Sequence, residues 1–248
     1  MKSQDLRDEP DVCQYLLYFI SPNLGPCRVT TLPTKSIREL ATFGFCFLPA
    51  TDSVRKIANN LDDIGSIEEL PGLRRIQILK PNSLDASEPN SYSGNFGLSE
   101  FPLHTDLAHW PIPPRYLALQ CVLGSNKITT RLLDSEDISK AVGASKLERT
   151  LARPRRPLAG EFPLLTLRSR GSVDTSTLFR WDSIFIKPAS SWSRGVFQEV
   201  VDAIKGVQAQ EVILKNPGDL LVVDVVGRIT PRVPFQSDPR GARSFVPV

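Results

Sequence analysis

The stretch "LHTDLAHWPIPPRYLALQCVLG", Leu103–Gly124, sets two signals side by side. Its second half, "YLALQCVLG", is an apolar run closed by a glycine and reads as a buried β-strand. Its first half holds both histidines of a 248-residue chain, His104 and His109, the former in an H-x-D triplet with Asp106. Side chains two apart in a strand share a face, so His104 and Asp106 would project together and offer one nitrogen and one oxygen ligand. A carboxylate and an imidazole are two parts of the 2-His-1-carboxylate set that holds non-haem Fe(II). His109 falls on the other face of a continuing strand, and reaching the same point would require a sharp turn.

Outward from this stretch the chain is rich in strands. "FCFLP", "LRRIQILKP", "KITTRLLD", "FPLLTLRSR", "STLFRWDSIFI" and "GDLLVVDVVG" all read as strand-like, the last behind the turn "KNPGD". Helices are fewer: "TKSIRELATF" stopped by Gly44, "SVRKIANNLDDIG" capped at Thr51-Asp52, "EDISKAVG" capped by Ser135, and "SRGVFQEVVDAIKG" with Phe197, Val200, Val201 and Ile204 on one face. Many strands, a few peripheral helices, no βαβ rhythm and no internal repeat predict a mainly β fold of the double-stranded β-helix type, a jelly-roll or cupin-like barrel. Residues 1–33, rich in Pro and Cys and without clear periodicity, read as an N-terminal extension wrapping a single domain over 34–248. The long polar loop "KPNSLDASEPNSYSGNFG" ahead of the histidines has the length of a functional loop.

Composition excludes several classes. Thirty basic against 27 acidic residues leave a net charge of +3, too small and too evenly spread for a nucleic-acid surface, and the one basic cluster, Arg153–Arg156, carries prolines and reads as an exposed loop. Cys13, Cys27, Cys46 and Cys121 form no C-x-x-C pair, which suits a reducing cytoplasm. The apolar run "YLLYFI" is too short and too acidic in its flank for a signal peptide or a membrane span.

Taken in order, "NFGLSEFPLHTDLAHWPIPPRYLALQCV", "TTRLLD", "FRWD", "NPGDLLVVD", "RVPF" and a terminal arginine cluster resemble the Fe(II)/2-oxoglutarate-dependent dioxygenases of the taurine dioxygenase type, over roughly Phe43 to Val248. The resemblance implies a jelly-roll in which His104 and Asp106 hold iron. It implies that Thr130, with Thr129 as the neighbouring alternative, lies near the 2-oxoglutarate carboxylate, and that Arg243 or Arg240 grips the distal carboxylate as a planar guanidinium can. The implied reaction uses Fe(II), O2 and 2-oxoglutarate, which becomes succinate and CO2, to oxidise a C–H bond of a small molecule. Tyr92, Asn95, Trp110 and Phe185 are the candidate substrate-facing groups.

The sequence departs from the family at one place. The family's second histidine follows the "GDLLVVD" strand, and its position falls on Thr230, between Ile229 and Pro231, with no histidine anywhere after His109. A neutral hydroxyl is a poor Fe(II) ligand, so an impaired oxygenase is expected. The alternative is a non-catalytic binding or interaction protein that retains the barrel.

Overall fold

The run read first as a buried strand, Tyr116–Leu123, lies at the heart of the largest sheet in a computed structural model that describes residues 13–21, 32–51, 65–70, 72–80, 82–170, 177–225 and 228–229. This strand, β5, follows β1 (Gln14–Ser21), β2 (Phe45–Leu48), β3 (Ser66–Ile67) and β4 (Gln77–Leu79), and β13 (Leu220–Asp224) comes late in the chain. These six form one antiparallel sheet in the order β2-β13-β5-β1-β3, with β4 also paired to β1. Side-chain alternation explains why the sheet is buried on both faces. Tyr15, Leu17, Phe19, Leu117, Leu119, Leu221 and Val223 point to one apolar cluster, while Tyr18, Ile20, Ala118, Leu220 and Val222 point to another beneath the helix α1 (Thr34–Phe43). Gly44 ends that helix in the left-handed region, at φ 72°, which a residue without Cβ adopts at no steric cost.

Strand β1 differs from the sequence reading. Residues 14–21 were expected in a wrapping extension, yet they pair with β5 at six consecutive positions from Tyr15 to Ile20, and at Gln14 across a register shift, and occupy the interior of the sheet. Being buried on both faces, the run "QYLLYFIS" shows no period-2 alternation that would mark it as a strand.

The remaining strands form three small sheets. β6 (Thr130–Asp134) lies between β12 (Gln210–Val212) and β14 (Arg228–Ile229); β7 (Leu151–Pro154) lies between β8 (Leu165–Thr166) and β11 (Ile186–Pro188); β9 (Arg168–Arg170) pairs β10 (Thr177–Phe179). Among the described residues the strands are sheet-rich but close no barrel. The cluster Arg153–Arg156, expected as a loop, begins inside β7, where Arg153 pairs with Lys187. "STLFRWDSIFI" is not one strand, because Asp182 Oδ1 accepts the backbone N–H groups of Ile184 and Phe185 at 2.7 and 2.8 Å and turns the chain between β10 and β11.

Among the described residues, α1 is joined by α2 (Tyr92–Phe96), α3 (Ser135–Val142), α4 (Ala144–Arg149) and α5 (Ser191–Gly206). The α3 cap is Asp134, one residue before the expected Ser135, because its carboxylate accepts the Glu136 N–H at 2.9 Å. Ser190 caps α5, and Val196 and Val200 bury its apolar face beside Trp181 and Ile138. The helix expected after Asp52 lies outside the described residues. No described helix is long and apolar enough to cross a membrane.

Candidate active site

A cavity of about 720 Å3 opens on the inner face of the large sheet, within the range of roughly 300–1,000 Å3 that accommodates a small molecule. Tyr15, Leu17 and Phe19 of β1 and Leu119 of β5 form its floor. His104, Asp106, Thr130, Tyr92, Asp182 and Phe185 contribute to its other walls. Of the residues expected to hold iron or the cosubstrate, His104, Asp106 and Thr130 line this cavity. Thr129 does not line it. Tyr92, Trp110 and Phe185 also line it, whereas Asn95 turns its amide to the carbonyls of Pro89 and Ser91 on the exposed side. Arg240, Arg243 and Thr230 lie outside the described residues.

The H-x-D segment is extended only briefly. Thr105 N–H donates to the Trp181 carbonyl at 2.6 Å, and Trp181 N–H donates to the Thr105 hydroxyl at 2.9 Å, so this short pairing fixes where His104 emerges. A turn then begins at Asp106, and Leu107 takes φ 55°, an unusual conformation for a branched side chain. This turn replaces the continuing strand of the sequence reading. It brings His109 onto the same cavity wall, where it packs against the Phe185 ring at 5.4 Å.

Each ring nitrogen of His104 has a defined task. The imidazole is buried, at 3% exposure, and Nδ1 lies 2.8 Å from the Pro102 carbonyl. A carbonyl can only accept, so Nδ1 carries a proton, and in the neutral ring the lone pair is then on Nε2, the tautomer that a metal bound at Nε2 requires. With the Asp106 carboxylate on the same cavity, these donors suit a divalent transition metal in two positions. Among the described residues, no three His, Cys, Asp or Glu side chains converge on one point.

The "FRWD" segment supplies the scaffold, a role the sequence did not reveal. Phe179 is core; Arg180, only 4% exposed, donates to the carbonyls of Ala108, Trp110 and Pro111 and clasps the turn that follows Asp106. Burial lowers the Arg180 pKa to about 10, which leaves the guanidinium charged at neutral pH. Asp182 accepts the Tyr92 hydroxyl at 2.6 Å on Oδ2 while Oδ1 is held by the turn N–H groups. His109 has its pKa held below the ordinary 6.5, chiefly by burial, with the Asp182 carboxylate opposing and Arg180 reinforcing the shift. Its Nδ1 is buried with no hydrogen-bond partner among the described residues.

No known family profile matches the chain, and no curated protein matches it. Solved structures do. An asparagine oxygenase in complex with Fe(II), 2S,3S-3-hydroxyasparagine and succinate aligns at 18% identity over 62% of this chain and 50% of its own, with a TM-score of 0.48. The non-heme iron oxygenase OrfP, in complex with Fe and alpha-ketoglutaric acid, aligns at 21% identity over 58% of this chain and 46% of its own, with a TM-score of 0.42. The matched part of the chain spans about half the length of these proteins.

Proposed function

We propose that the chain is an Fe(II)/2-oxoglutarate-dependent oxygenase of the taurine dioxygenase type, built on a double-stranded β-helix and acting on a small molecule. The observation that carries the reading is the convergence of His104, Asp106 and Thr130 on one cavity, with His104 held in the ligating tautomer by Pro102. Their order in the chain matches the motif order that sequence alone suggests.

In this reading His104 Nε2 and the Asp106 carboxylate hold iron. Thr130, 8% exposed at the start of β6, presents its hydroxyl toward the cosubstrate carboxylate, and Arg243 or Arg240 grips the distal end. When bound, iron and 2-oxoglutarate supply the O2-dependent oxidation of a C–H bond. The chain's own contribution is to orient and to exclude water: Tyr15, Phe19 and Phe185 give the cavity apolar walls around a small set of polar groups. Strand β14 pairs Arg228 with Asp134 and Ile229 with Leu133, and Thr230, which follows in sequence at the position where the resemblance expects a histidine, lies outside the described residues. A threonine there leaves the metal two protein ligands, and weak iron binding with slow turnover follows.

A second reading, a non-catalytic binding protein that keeps the cavity, is favoured by one observation: both histidines of the chain lie within His104–His109. Succinate release from 2-oxoglutarate under O2 separates the two. The oxygenase reading expects slow, Fe(II)-dependent succinate formation that Asp106→Ala abolishes. Release equal in wild type and Asp106→Ala, or none at any iron concentration, would contradict it.

A further inference from the structure

We propose that Tyr92 is a positioning residue for His104, holding the imidazole through a ring stack that is itself anchored by Asp182. The inference rests on the reading of His104 as a metal ligand.

The geometry is continuous from an exposed loop to the buried imidazole. Ser91 caps α2 by accepting the Gly94 N–H at 3.0 Å, which fixes the first turn and sets Tyr92 on its cavity side. Gly94 is required for this seat, since a Cβ there would stand 1.9 Å from the Glu88 carbonyl oxygen. The Tyr92 ring lies over the His104 ring at 4.2 Å between centroids and 26° between planes. Phe101 stacks on Tyr92 at 5.3 Å, and Phe185 meets it edge-on at 5.4 Å, so the phenol has little room to rotate.

Its hydroxyl completes the arrangement. Asp182 is 2% exposed, and its other oxygen is already committed to two backbone N–H groups, so it is a fixed acceptor for the Tyr92 O–H at 2.6 Å. His104 is therefore restrained twice, in its plane by the Pro102 carbonyl and across its face by the Tyr92 ring. Where only two protein side chains hold the metal, freedom in either one matters more, because no third ligand restores the geometry. The loop over 82–100 and the turn at Asp182 are thereby coupled to His104.

The test uses the full chain and two readouts. Only two histidines are present, so a 15N-histidine NMR spectrum of the metal-free protein at about pH 8 reports each imidazole tautomer directly. Co(II) titration, followed by its visible absorption, reports the site without any turnover. For wild type the His104 signal should be a pure Nδ1–H form. Tyr92→Leu should average the His104 tautomers and weaken Co(II) binding by about tenfold or more. Tyr92→Phe keeps the stack and loses only the anchor, and should weaken it about two- to threefold. Leu40→Ala, a truncation in the core cluster beneath α1 that contributes nothing to the cavity lining, should lower the melting temperature while leaving both readouts unchanged. An unchanged His104 tautomer and wild-type Co(II) affinity in Tyr92→Leu would overturn the proposal. Absence of Co(II) binding by wild type would instead overturn the oxygenase reading, and the tautomer spectra would still decide the role of Tyr92.

Discussion

At the scale of single residues, His104 and His109 face one cavity with opposite chemistry. The Pro102 carbonyl holds the first through Nδ1, while burial disfavours the charged form of the second. Since the folded His109 has a lowered pKa, the unfolded chain takes up the proton first as pH falls below 6.5. The stability tied to neutral His109 is complete above that value and is lost toward its lowered folded pKa. Melting temperatures between about pH 7 and pH 5 should fall more steeply for wild type than for His109→Phe, and parallel profiles would contradict the assignment. Thr230 makes the second prediction at this scale. If its position is that of the absent ligand, Thr230→His should tighten Fe(II) binding by about tenfold, and Pro231→Gly added to it should help further, because proline restricts the residue before it. Iron titrations of the two variants that match wild type would count against the placement.

Between elements, the decisive link is the buried guanidinium of Arg180, which joins β10 to the turn after Asp106 through three carbonyls. Lysine cannot spread donors over three acceptors in one plane. Arg180→Lys should therefore cost about 2 kcal/mol in denaturant unfolding and weaken Co(II) binding as the Asp106 turn loosens. Wild-type values for both would show that the turn holds itself. Such links explain what the sequence could disclose. H-x-D stood out because its two residues lie two apart in the chain, and β2, β5 and β13 were legible because each is a short apolar run beside turn signals. The roles of Tyr92, Asp182 and Arg180 were not legible, since Tyr92 meets Asp182 across 90 residues and Arg180 meets Ala108 across 72. The word "FRWD" was visible, but nothing local says that its arginine clasps one loop and its aspartate another.

Across the whole molecule, a large sheet buried on both faces supplies one cavity wall, and loops held by buried polar groups supply the rest. β5 and β13 were readable as apolar runs beside turn signals, whereas the interior place of β1 was not, because an apolar run does not say which strand it pairs with and its partner β5 lies far along the chain. The central claim is that His104 and Asp106 form the protein part of an iron and 2-oxoglutarate site. The measurement that tests it most directly is an anaerobic titration of the wild-type chain with 2-oxoglutarate, with and without Fe(II), followed by the visible charge-transfer absorption of a chelated 2-oxo acid. The account predicts weak but saturable binding that requires Fe(II) and disappears in His104→Ala. A folded wild-type protein that develops no such absorption, or develops it equally in His104→Ala, would contradict it.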